Sequence, residues 1–207
     1  MIGKFKCGIA AAFLSSVGAV AAGPAAAHPH VWVDAVADLG IREGALQEVR
    51  MRWTFDDFFS LVLFEDFDVN DNKRFEPNEV EKMRDGAFTG LGEVAFFTDL
   101  RIDGVRVDWS GARDFGVELG EDGRASYLFT LDLPQPVDPV AHKVSVTLYD
   151  PDYYVDVQFA ETGGVSFTDL DPSLECGARY EPAEDTPIYF GSVIPKRAVV
   201  ECWRLGS

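Results

Sequence analysis

Val49-Arg50-Met51-Arg52-Trp53-Thr54-Phe55-Asp56-Asp57-Phe58-Phe59-Ser60-Leu61-Val62-Leu63 changes its period partway. As far as Trp53, the apolar residues Val49, Met51 and Trp53 alternate, which puts them on one face of a strand. From there Phe55, Phe58, Phe59, Val62 and Leu63 recur at helical spacing, and this predicts a helix to about Phe67. Thr54, with Asp57 three residues on, reads as a shortened capping box at its start. Asp56 and Asp57 suit the positive end of that helix dipole without any chemistry.

Upstream, Val31 to Leu39 is β-rich, Gly40 to Gly44 reads as a turn, and Leu46 to Trp53 as the second strand. Downstream, a polar loop begins at Asp68, and Pro77 opens a second helical pattern through Val80, Met83, Ala87, Phe88 and Leu91. Period two then returns. The expected strands are Ala95–Asp99, Val105–Trp109, Phe115–Leu119, Ala125–Leu133, Lys143–Tyr149, Tyr154–Phe159 and Ala198–Trp203, with turn signals at Glu121-Asp122-Gly123 and Leu133-Pro134-Gln135-Pro136. The expected fold is α+β: mainly antiparallel β, as a sandwich or curled sheet, with an inserted EF-hand-like helix–loop–helix at about 54–91.

The loop inside that insert carries the most specific spacing in the chain. Asp68, Asn70 and Asn72 stand at positions 1, 3 and 5 of a calcium loop, and Arg74 offers its backbone carbonyl at position 7. Glu76 falls at position 9, and Glu79 supplies the bidentate carboxylate at position 12. Position 6 is Lys73 rather than glycine, so a side chain is expected at positive φ there, at a cost of roughly 1 kcal/mol. That substitution, the two asparagines and the lack of a second such loop all point to weak affinity, near the ~10⁻⁴–10⁻³ M of extracellular modules. The alternative is a polar connector of similar composition. A sensing role is not expected, because the flanking helices read as aromatic and buried.

The N-terminal residues lead to an expectation of export. Lys4 and Lys6, an apolar run from Ile9 to about Val20, and Ala25-Ala26-Ala27 have the order of a signal peptide over residues 1–27. Residues 28–207 would form a single domain, and no later run is long enough to span a membrane. The chain has 207 residues, with 18 Lys and Arg against 35 Asp and Glu, for a formal net charge of −17. Such a surface repels nucleic acid and anionic lipid, so cations are the natural partners. Cys176 and Cys202 remain after the signal; in an oxidising compartment they most simply form one disulfide, closing a loop of about 27 residues and contributing roughly 3 kcal/mol. A two-cysteine metal site competes with that reading, although neither cysteine has another cysteine or a histidine at ligand spacing.

His28-Pro29-His30 would head the mature chain. Pro29 has no amide proton, which excludes the square-planar amino-terminal copper or nickel site. What remains is imidazole coordination of zinc, nickel or copper by His28 and His30, or histidines that only mark the cleavage boundary. Tyr149-Asp150-Pro151-Asp152-Tyr153-Tyr154 reads as a tyrosine-rich hairpin corner, or as a turn presenting Asp150 or Asp152 to a ligand. No nucleophile elbow, serine triad or His-Glu-x-x-His helix occurs, so no enzyme is expected.

Taken together, Ala27-His28-Pro29-His30-Val31-Trp32-Val33-Asp34, Arg52-Trp53-Thr54-Phe55-Asp56, the Asp68–Glu79 loop and Tyr149-Asp150-Pro151-Asp152-Tyr153 resemble a bacterial periplasmic family, domain of unknown function 1007. The resemblance covers essentially the whole chain after the signal. It implies the periplasmic component of an ABC-type transport system, associated with zinc, nickel or cobalt transport, and an inner-membrane permease as partner. It places His28, Pro29, His30 and Trp32 on the family's N-terminal motif; Lys73 departs from its more usual glycine. The function expected is therefore a metal-binding accessory protein of a metal-ion transport system with a structural calcium loop. The alternative is an interaction module that docks a membrane partner through the calcium-stapled insert.

Overall fold

The computed structural model describes residues 29–206. The signal peptide expected over residues 1–27, and His28, lie outside them. Strand β1 (Val31–Arg42) turns through Glu43-Gly44 into β2 (Ala45–Phe55), and the two pair antiparallel. Glu43 and Gly44 both have positive φ, 54° and 76°, the conformation a two-residue hairpin turn demands. Helices α1 (Asp57–Phe67) and α2 (Pro77–Met83) follow, then a π-type turn over Arg84–Phe88 and a 3₁₀ stretch over Thr89–Phe97. The rest is β3 (Thr98–Ile102), β4 (Val105–Arg106), β5 (Arg113–Leu119), β6 (Ala125–Val137), β7 (Val144–Leu148), β8 (Val155–Phe159), β9 (Val165–Thr168), β10 (Leu174–Pro182) and β11 (Lys196–Arg204).

These strands form two sheets, one in the order β5-β6-β2-β1-β8 with β9 also on β1, the other β10-β11-β7-β3-β4. β8 and β9 run parallel to β1, one after the other along the same edge; the remaining pairs are antiparallel. Both sheets contribute to one core, with Val33, Ala35, Leu39, Met51 and Leu131 from the first and Leu100, Val146 and Ala198 from the second. Cys176 and Cys202 face each other across β10 and β11, Cα atoms 4.1 Å apart, and form the disulfide.

Several elements differ from their expected bounds. β1 does not stop at Leu39: Gly40 and Ile41 continue it, and a glycine is required because a Cβ there would stand 2.7 Å from Glu48 Cγ. The helix is capped by Asp56, not Thr54; Thr54 belongs to β2, and its hydroxyl meets Ser126 Oγ at 2.9 Å. The strand expected from Ala95 begins only at Thr98, because Ala95, Phe96 and Phe97 are all left-handed. The strand expected over Val105–Trp109 is two residues long, and β6 runs through Pro134 and Pro136 to Val137 instead of turning there. β9 (four residues) and β10 (Leu174–Pro182, with Gly177 inside it and Pro182 at its end) were not expected as strands.

Glu48 locks the first sheet. It is 2% exposed, and it meets Arg42, Arg50 and Arg113 at 2.8, 2.6 and 2.7 Å. The hydrogen bond from Arg42 is the largest cause holding its carboxyl down at about 2, against burial, which pushes it up. An unfolded Glu48 protonates near 4.5, so this stability is present above that pH and is lost as the pH falls towards about 2. Glu48→Gln should be about 3 kcal/mol less stable at pH 7 and should meet the wild type near pH 2, as read by urea unfolding across that range.

Candidate metal loop and the aromatic corner

Asp56 roots the insert on the sheet. Its Oδ1 accepts the Phe59 N–H at 2.9 Å and caps α1, while its Oδ2 accepts the Trp32 N–H at 2.9 Å. Ser60, one turn on, accepts the Ala125 N–H at 3.0 Å. Only Ser60 and Leu63 of α1 are buried; Phe58 is 72% and Leu61 62% exposed. The expectation of two buried helices is therefore wrong for α1, which exposes Phe58 and Leu61 among Asp57, Glu65 and Asp66.

Between the helices, Phe64 and Phe75 stack at 4.7 Å and close the base of the loop. Asp68 stands where α1 ends; its Oδ1 accepts the Asn72 N–H at 3.1 Å and its Oδ2 the Lys73 N–H at 2.8 Å. Asn70 Oδ1 also accepts the Asn72 N–H, at 3.1 Å. Lys73 has φ 63°, the conformation expected where a glycine is more usual, and its ammonium pairs with Asp71. Glu79, on the first turn of α2, is 1% exposed and reaches back across the loop. Its Oε1 accepts the Val69 N–H at 2.9 Å and its Oε2 the Glu76 N–H at 3.0 Å.

Glu76 closes the ring. Asn70 Nδ2 donates to its Oε2 at 2.9 Å, and Asn72 Nδ2 donates to its Oε1. Its carboxyl is held below the usual range, first by hydrogen bonding with Glu79, then by the two amides. Arg74 lies on the exposed rim. The structure thus gathers Asp68, Asn70, Asn72, Glu76 and Glu79 around one loop, an all-oxygen set that suits a hard cation. The ring is drawn together by amides and N–H groups; among the described residues no three His, Cys, Asp or Glu side chains converge closely enough to hold an ion. To ligate one, Asn70 and Asn72 must turn their amide oxygens inward, releasing Glu76.

The two remaining motifs, far apart in sequence, meet on the sheet. His30 sits before β1, its ring 4.8 Å from that of Tyr154, and its N–H donates to the Tyr154 carbonyl at 2.9 Å. Parallel pairing then sets Trp32 opposite Asp156 and Asp34 opposite Gln158. The Tyr149–Tyr154 segment is not a hairpin, because it carries the chain from β7 in one sheet to β8 in the other. Asp150 builds that corner: 6% exposed, it accepts N–H groups from Asp152, Tyr154 and Val155 at 3.1, 2.9 and 3.0 Å. It is a fastener, and the alternative of a presented ligand is set aside for it. No sequence signal announced the meeting of the motifs, since a long-range parallel pairing leaves no local mark.

The family model described as protein of unknown function (DUF1007) matches residues 13–191. Among curated proteins the chain is 26% identical over 136 residues to an "Uncharacterized 15.5 kDa protein in trpE 3'region" of Spirochaeta aurantia, covering 65% of this chain and 94% of that protein. It is 25% identical over 164 residues to an "Uncharacterized protein" of Haemophilus influenzae, covering 78% of this chain and 77% of that one. Asp150→Ala should strand three N–H donors and lower stability by roughly 2–4 kcal/mol, measured by urea unfolding, with Asp150→Asn intermediate.

Proposed function

The chain belongs to the DUF1007 family, and on that footing we propose a periplasmic metal-binding accessory protein of a metal-ion transport system, in which the Asp68–Glu79 loop holds calcium as a structural brace. One observation carries the calcium reading. Asn70 and Asn72, at loop positions 3 and 5, already reach Glu76 at position 9, while Glu79 at position 12 lies across the loop with its carboxylate on the Val69 and Glu76 N–H groups. A calcium ion there would draw on Asp68, Asn70, Asn72, the Arg74 carbonyl, Glu76 and Glu79, all hard oxygen donors. It would replace the amide contacts that now hold Glu76. Zinc or nickel, which favour imidazole, would be met instead at His28 and His30, of which His30 stands against Tyr154.

A second reading is favoured by the exposed Phe58 and Leu61 on α1. On it the chain carries no cargo, and the calcium-braced insert docks a membrane partner through those two side chains.

Calorimetric titration separates the two. Calcium should bind once per chain with Kd of about 10⁻⁴–10⁻³ M, and Asp68→Ala or Glu79→Gln should abolish it. Zinc or nickel should bind at micromolar level or tighter and be lost when His28 and His30 are both alanine. Zinc binding that survives the double substitution would contradict the carrier and leave the docking module. No calcium uptake at about 10 mM would overturn the brace.

A further inference from the structure

Strand β8 ends one side of the larger sheet: β1 lies on its one edge and, among the described residues, no strand pairs with the other. The register fixes which of its groups are spent. The Ala160 N–H donates to Ala35 and the Tyr154 carbonyl accepts from His30. In a parallel ladder this assigns the even-numbered residues of β8 to β1 and turns the odd-numbered ones outward. Of these, the Val155 N–H is taken by Asp150 at 3.0 Å. The N–H and C=O groups of Val157 and Phe159 face the open edge, and neither has a partner beyond the sheet ladder among the described residues. Both residues are 5% exposed, so this edge is recessed rather than bare.

The recess is a cleft. Ile188, Val193, Ile194, Pro195 and Lys196 line it together with β8 and Tyr153. Tyr189 and Phe190 are both left-handed, and Phe190 is fully exposed. The cleft encloses about 160 Å³, below the ~300–1,000 Å³ of sites that swallow a small molecule. That volume suits a side chain of a bound segment better than a free metabolite. Asp156 borders the cleft, meeting Gln158 at 2.8 Å and the Tyr153 hydroxyl at 3.4 Å, and it has no cationic partner among the described residues.

We propose that the open edge of β8 and its cleft dock an extended segment of a partner protein with alternating apolar and basic side chains. Three demands name this occupant. Unpaired, recessed backbone groups call for another backbone in extended form. The small apolar cleft takes the side chains on one face of that segment. Asp156, in a chain of net charge −17, selects basic side chains on the other. The proposal is independent of the calcium loop, which lies in the insert.

Hydrogen exchange followed by NMR on the full chain tests it, with the peptide acetyl-Lys-Val-Lys-Val-Lys-Val-amide and its glutamate counterpart as probes. The lysine peptide should slow exchange of the Val157 and Phe159 amides at least about tenfold and bind at least about tenfold tighter than the glutamate peptide. Asp156→Lys, on the sheet surface, should reverse that preference. Val157→Pro should abolish binding; its N–H faces the open edge, so no ladder bond is lost with it. Two results overturn the proposal: amides of Val157 and Phe159 that neither peptide protects, or equal protection by both. Protection that rises with protein concentration alone also overturns it, since a second copy would then fill the edge.

Discussion

The alternation Val31, Val33, Ala35, Ala37 and Leu39 buries one face of β1 while Trp32 and Asp34 stay exposed on the other, so a slip of one residue would exchange the two sets. Asp34 and Asp38 would then enter the core without partners, a cost no packing gain could offset. With its register held, β1 positions everything beside it. β2 pairs on one edge, and β8 and β9 share the other. The N-terminal motif is thereby brought beside the Tyr149–Tyr154 corner, and Trp32 beside Asp56, which roots the helical insert.

The second half of the insert is held by aromatic burial against its own backbone. Phe88, Phe96 and Phe97 pack over Trp53, Tyr127 and Phe129, with ring centroids 4.9 to 6.1 Å apart. Ala95, Phe96 and Phe97 take φ of 53°, 50° and 48°, each disfavoured by roughly 1–2 kcal/mol. Trp53 Nε1 and Tyr127 Oη are buried beneath them without a hydrogen-bond partner among the described residues. Burying three phenylalanine rings, at about 1.5–3 kcal/mol each, is what offsets these penalties. α1, by contrast, is held at its root by Asp56 and Ser60 and leaves Phe58 in solvent.

What the sequence disclosed follows from the range of the interactions. The change of period after Trp53, Pro77 at the head of α2, the positive φ of Lys73 and the pairing of Cys176 with Cys202 depend on neighbouring residues or on a two-member choice, and all were legible. Thr54 and Asp56 were both acceptable caps locally; the hydrogen bond between Trp32 and Asp56, 24 residues apart, decided between them. The apolar, aromatic run Ala95-Phe96-Phe97 suits a strand locally, whereas in the structure all three residues are left-handed and Phe96 and Phe97 are buried. The oxygen donors of the loop were readable from spacing, whereas their engagement by Asn70, Asn72 and backbone N–H groups was not. The meeting of His30 with Tyr154 depends on a parallel pairing across more than a hundred residues, which no local pattern encodes.

The account rests on the loop between α1 and α2 being able to trade its internal hydrogen bonds for an ion. The most direct measurement is an amide NMR titration of the full chain with calcium, with magnesium as control. The account predicts saturable shifts confined to residues 68–79, largest where Asn72 and Lys73 donate to Asp68, and absent with magnesium at equal concentration. Shifts that spread over the acidic surface without saturating, or none at all, would contradict it.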